Sequence, residues 1–310
     1  MNGFSRRLSG SIYSLVVLVT FVACSGNSEK PPARVEAAFD SFYQFQDDVV
    51  RSDPSTNTAT SKIHTRYRAL FSPYQTSAMV RQLRPDDVAL LFRAADLDFF
   101  FTVSATTLAD MQLDLAELSR RGIARTDNDA KLYAALVESR SFKKARAFAK
   151  LHPLASDEAV PDVVDNVVRK GPTTLLVMDG GRKLVRKSVD LEEGRRIVVI
   201  SSPLCHFCQR AIRSIETDAV LRRLVLDHAT WIVPQDRSTS FATVANWNRL
   251  HPNETMEFTY RREEWPMVDR WETPVFYFFK NGHVVSKVSG WPVAGRKAEI
   301  SRSLRLAGLR

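Results

Sequence analysis

Apolar residues recur at spacings of three and four through the first half of the chain. Over residues 33–50, Val35, Phe39, Phe42, Gln46 and Val49 share one helical face, apolar but for Gln46. Residues 51–61 are rich in Ser, Thr, Asp and Pro and read as a loop. Ser72-Pro73 has the form of a helix start, with serine as cap and proline in the first turn. Another helix follows Arg84-Pro85 through Val88, Leu90, Leu91, Ala94 and Ala95. Residues 106–121 predict a further helix stopped by Gly122, and residues 126–138 and 142–151 a helical pair ended by Pro153. Residues 33–153 are therefore expected to form an all-helical domain without a catalytic motif. Phe99-Phe100-Phe101 reads as core, with a dimer contact as the alternative.

The pattern then changes. Residues 154–172 read as a linker and a short helix over 162–169, closed by Gly171 and Pro172. Two strand-like runs, residues 174–178 and 183–189, flank Asp179-Gly180-Gly181, a hairpin turn. Ile197-Val198-Val199-Ile200 is a buried strand that runs into Ser201-Ser202-Pro203-Leu204-Cys205-His206-Phe207-Cys208. Beyond it, residues 209–224 are amphipathic, and Cys208, Ile212, Ile215 and Ala219 fall on one face. Residues 230–233 predict a strand and residues 238–250 a helix on one sheet face. Residues 235–271 read as an inserted helix and loop.

Composition adds the compartment. The chain has 310 residues, 44% apolar and 25% charged, enough for two ordinary globular domains. Its cysteines are Cys24, Cys205 and Cys208, too few for a disulfide framework, so stability must come from packed cores. Arg6 and Arg7 precede a short apolar stretch, residues 11–23. Phe21-Val22-Ala23-Cys24 then resembles a bacterial lipobox, which implies a signal peptide over 1–23, lipidation of Cys24 and a tether over 24–32. A plain membrane anchor and a cleaved secretory signal are the alternatives; all three export the chain. Ser25, where aspartate would signal inner-membrane retention, makes the periplasmic face of the outer membrane the default location. The net charge of +9 reads as a solvated basic surface, since no run of Lys and Arg is dense enough for nucleic acid.

Two cysteines separated by two residues at a helix start can close a small disulfide ring. The first sits where free main-chain N–H groups and the helix dipole stabilise a thiolate. Residues 173–310 resemble the thioredoxin-like family. Cys205-His206-Phe207-Cys208 matches its C-x-x-C, Thr273-Pro274 its threonine–cis-proline, residues 274–285 the following strand, turn and strand, Gly290 a frequent glycine, and residues 296–306 the closing helix. The resemblance implies an α/β thioredoxin-like C-terminal domain behind the helical one. It also implies Cys205 as attacking thiol, Cys208 as resolving thiol, and Thr273-Pro274 as a backbone edge for an extended substrate. No organic cofactor is then needed, and the partners are protein disulfides or dithiols plus a redox partner. Threonine before the proline is similar to the periplasmic disulfide isomerases, which brings in a homodimer; a spacer role for the helical domain is the other reading.

Leu204 stands where the family often has an aromatic, and residues 197–200 lack the family's buried acid. A protonated His206 would favour the Cys205 thiolate; the alternative is an exposed histidine without effect. Phe207 reads as an apolar rim for partners or as core. Two other functions stay open: a redox-inactive binding module, and a Cu(I) or Zn(II) carrier using Cys205, His206 and Cys208. Against the carrier, there is no second C-x-x-C, and His228, His251 and His283 are scattered. The direction of electron flow is not set by the motif.

Overall fold

The computed structural model describes residues 35–52, 56–152, 159–168, 170–237 and 239–310. The signal peptide, Cys24 and the tether lie outside the described residues. The N-terminal region is helical, with α1 (Val35–Ser52), α2 (Thr56–Phe71), α3 (Ser77–Gln82), α4 (Pro85–Thr102), α5 (Ala105–Arg120), α6 (Thr126–Glu138) and α7 (Phe142–Leu151). Two expectations fail here. Most of the loop expected over 51–61 is the first turns of α2, because Ala59, Ile63, Tyr67 and Phe71 recur every fourth residue and are all buried. Packing overrides the weak helix propensity of its Ser- and Thr-rich start. Ser72-Pro73 therefore follows a helix rather than opening one; Thr76 caps α3 instead, its hydroxyl accepting from the Met79 N–H. Within Phe99-Phe100-Phe101 of α4, Phe99 is fully buried and Phe100 is half exposed.

The C-terminal region is a mixed sheet with helices. It contains β1 (Asp162–Asp165), β2 (Thr173–Met178), β3 (Lys183–Ser188), β4 (Arg195–Ile200), α8 (His206–Glu216), α9 (Ala219–Leu226), β5 (Ala229–Val233), α10 (Phe241–Leu250), β6 (Met256–Thr259), β7 (Val275–Lys280), β8 (His283–Ser289) and α11 (Lys297–Ala307). The strands run in the order β1-β3-β2-β6-β5-β4-β7-β8. The helix expected over 162–169 is corrected: β1 is a strand, its two β-branched valines pairing parallel with β3. The segment over 209–224 is two helices, broken where Asp218 caps α9 by accepting from Val220 and Leu221 N–H. β6, not foreseen within 235–271, lies between β5 and β2. The hairpin turn at Asp179-Gly180-Gly181 has positive φ throughout. At Gly181 a Cβ would also stand 3.2 Å from the main-chain nitrogen of Ala242.

Side chains alternate along the central strands. Ile197 and Val199 of β4, with Phe276 and Phe278 of β7, join a core built with residues of α8, α9, α10 and α11. Val198, Ile200, Val275, Tyr277 and Phe279 face the other way, where Leu191, Trp265, Val268 and Trp271 complete the core.

Arg34–Arg310 form one compact unit. Its two regions meet through buried polar groups. The Arg140 guanidinium, in the turn between α6 and α7, donates to the carbonyls of Tyr260 (2.9 Å) and Thr259 (2.6 Å). Gln235 donates to Glu138 O at 2.7 Å, and Arg237 reaches both Asp96 and Glu138. Burial pushes the Glu138 carboxyl up to about 8, against the nearby guanidinium groups of Arg237, Arg262 and Arg140, and pulls the Arg140 guanidinium down to about 10.

Candidate functional site

β4 pairs parallel with β5 on one side and antiparallel with β7 on the other. The loop leaving its C-terminal end therefore opens where the strand direction changes, a place where sheets of this kind expose functional groups. Ile200 is in register with Val275, so the turn after β4 and the residues before β7 lie side by side. That pairing brings Thr273 to a residue 68 positions earlier in the chain: the Cys205 thiol donates to Thr273 O at 3.6 Å. The Thr273–Pro274 peptide is cis, and Pro274 O accepts from the Gly290 N–H.

The turn holds itself. Cys205 N–H donates to Ser202 O, Leu204 N–H to Ser202 Oγ, and the Gln209 amide to Pro203 O. Cys205 is the N-cap of α8, and its sulfur accepts from the Cys208 N–H at 3.3 Å. A sulfur thus fills the position where an oxygen usually satisfies the free N–H groups of a helix start. The two thiols are unbonded, and they differ in exposure: Cys205 is half-buried and Cys208 is 1% exposed.

This asymmetry sets their acidity. The Cys205 thiol is lowered to about 5, chiefly by its hydrogen bond with the Cys208 thiol; the Thr273 side chain and the main-chain N–H groups of Cys208 and Phe207 add to this, against desolvation. Cys208 is pushed up, first by that same hydrogen bond and then by burial. One sulfur is a ready nucleophile and its neighbour holds a proton.

Leu204 and Phe207 are exposed, at 59% and 42%, and flank Cys205. The His206 ring is exposed and stands 3.9 Å from the Phe207 ring, centre to centre. Because the groups that chiefly depress Cys205 are Cys208, Thr273 and main-chain N–H groups, His206→Ala is expected to move the pH midpoint of Cys205 alkylation by less than about half a unit. A rise of about one unit or more would assign the imidazole a main part in the depression. Among the described residues, no group of three or more His, Cys, Asp or Glu gathers into a cluster fit for a metal ion.

Ser201 was not singled out by the sequence pattern, yet it lies fully buried between β4 and the cysteine turn.

No family model and no curated protein matches the chain. Among solved structures it is similar to a thioredoxin-like protein from Bacteroides caccae ATCC 43185, at 13% sequence identity and a TM-score of 0.30, over 78% of this chain and 93% of that one. A superposition this loose assigns no residue a role. The described chain is a helical N-terminal region followed by a mixed-sheet region that carries two free thiols at one helix start.

Proposed function

We infer that the chain is an exported thiol–disulfide oxidoreductase with a thioredoxin-like C-terminal domain, exchanging disulfides with envelope proteins through Cys205 and Cys208. The observation that carries this reading is the unequal pair: an accessible sulfur lowered to about 5 at the N-cap of α8, beside a buried one that is pushed up. The Cys205 thiolate attacks a partner disulfide and forms a mixed disulfide; Cys208 then attacks Cys205 Sγ and frees the partner. The reverse sequence oxidises a substrate dithiol. The Thr273 main chain beside Cys205 and the apolar Leu204 and Phe207 suit an extended polypeptide better than a small soluble thiol. Lipidation of Cys24 would hold the protein at the periplasmic face of the envelope, by default the outer membrane. Among the described residues no helix is long and apolar enough to cross a membrane.

Cys208→Ser is expected to trap partners as mixed disulfides that dissociate in reductant, because Cys205 still attacks and nothing resolves the adduct. Absence of such adducts in envelope extracts, with partner binding unchanged, would favour a redox-inactive binding module. A thiolate stabilised at neutral pH favours the reduced form, so the pair should be more oxidising than thioredoxin, whose potential is about −270 mV. A more negative value in glutathione equilibration would contradict this.

A further inference from the structure

A cavity of about 230 Å³, partly open to solvent, lies between α6 and the start of α10, where the helical region meets the sheet. An apolar cavity of about 150 Å³ is enough for benzene, so this one has room for a single-ring molecule. Val137, Phe241 and Phe258 give it an apolar wall, and two buried charged side chains, Glu138 and Arg140, line it as well. The Arg140 guanidinium donates through Nε and one terminal nitrogen to the carbonyls of Tyr260 and Thr259, and keeps a further nitrogen beyond these bonds. Both acceptors are neutral, so hydrogen bonding gives this buried cation no counter-charge. Glu138 is 2% exposed. Its Oε1 has no hydrogen-bond partner among the described residues, and Oε2 has Arg237 Nε at 3.1 Å, outside hydrogen-bond alignment. Arg237 otherwise serves Asp96. Buried polar atoms without partners are rare and call for one. The charged groups facing Glu138 are the guanidiniums of Arg237, Arg262 and Arg140 and the carboxylate of Asp236. With Asp96 counted, three cations meet two anions whenever Glu138 holds its proton, and burial makes it do so up to about pH 8.

We propose that this cavity binds a small organic acid, whose carboxylate accepts from the Glu138 carboxyl and the Arg140 guanidinium while its apolar body packs on Phe241 and Phe258. Both polar contacts are charge-assisted hydrogen bonds, the stronger kind, and a planar guanidinium suits a carboxylate. An amine would meet the same guanidinium groups and be repelled. An uncharged amide would leave the buried cation without a counter-charge. Below its raised value Glu138 offers the ligand a proton; above it, two carboxylates would face each other at close range. The site shares a wall with the cysteine turn. Thr239 lines the cavity, and its hydroxyl lies 3.5 Å from that of Ser202, whose carbonyl accepts the Cys205 N–H. Binding here involves no thiol chemistry, so it stands or falls apart from the exchange reaction inferred above.

The test is calorimetric titration of the full chain in detergent with three probes of one shape: benzoate, benzamide and benzamidine. Benzoate is expected to bind one site at least about tenfold more tightly than either of the others at pH 7. Its affinity should fall about tenfold from pH 7 to pH 9, as Glu138 loses its proton through about 8. Glu138→Gln keeps a donor without a titrating group, so it should still bind benzoate at pH 7 and lose the pH dependence. Ala134→Phe fills the cavity from α6 and should abolish binding; its denaturation midpoint shows whether it folds. Should it not fold, the wild-type pH profile and the other two probes decide alone. No saturable benzoate binding up to about 10 mM overturns the proposal. Equal or tighter binding of benzamide or benzamidine, or a benzoate affinity that is flat from pH 7 to pH 9, also overturns it. So does undiminished binding in a folded Ala134→Phe variant, or loss of binding in Glu138→Gln at pH 7.

Discussion

Cys205→Ser is expected to abolish reduction of insulin-type disulfides, a loss to the uncatalysed background. In the proposed exchange this residue supplies the sulfur that attacks, and Cys208 is too buried and too weakly acidic to replace it. The same chemistry predicts an alkylation profile. Reaction of wild-type Cys205 with iodoacetamide should have its midpoint near 5, far below the ordinary thiol value of about 8.5. Cys208→Ser removes the first of the depressing groups, the Cys208 thiol, and should move that midpoint upward. The depression also couples to stability. A thiol lowered on folding contributes stability in full above its unfolded value, and that contribution shrinks as pH falls through the folded value near 5. The reduced protein should therefore gain less over the oxidised protein at pH 5 than at pH 9. A Cys205 midpoint in the ordinary thiol range would remove the basis for the unequal pair.

The largest effect on stability is expected from Arg140→Met. Arg140 is buried in the turn between α6 and α7 and donates to two carbonyls, Thr259 and Tyr260, on the sheet. Its loss removes both hydrogen bonds and strips Glu138 of one nearby guanidinium. Removing one member of a buried charged group costs about 3–5 kcal/mol, readable as a shift in the midpoint of chemical denaturation. A cost under about 1 kcal/mol would mean that water replaces the guanidinium without penalty. Glu138 gives the companion pH effect. Its folded value is raised to about 8 from an ordinary 4.5, so the folded state binds more protons between the two. The stability it contributes is complete below the unfolded value and is lost as pH rises through about 8. Glu138→Gln should flatten the decline in stability between those limits; identical slopes in the two proteins would refute the assignment.

What was legible in the sequence was local. The bounds of α6 and α7 came from apolar periodicity, and the β2–β3 hairpin from Asp179-Gly180-Gly181, because neighbours in sequence decide these features. The placement of the two cysteines was legible too, since a C-x-x-C at a strand-to-helix turn places one sulfur at a helix start whatever surrounds it. Other features depended on distant partners. β1 and β6 are four residues each and are strands because β3, β2 and β5 present edges to them. α2 begins with residues that favour turns and is held by Ile63, Tyr67 and Phe71 packing in the helical core.

The site divides the same way. Cys205, Cys208 and Thr273-Pro274 could be named from the chain alone. That Thr273 O lies 3.6 Å from Cys205 Sγ is a consequence of the Ile200–Val275 register, which no local pattern encodes. The unequal acidity of the thiols needed burial, because desolvation and hydrogen bonding act through neighbours in space. So did the role assigned to Arg140. An arginine in a helical turn looks solvent-facing in sequence. Only the packed sheet shows that its guanidinium reaches carbonyls 119 and 120 residues away.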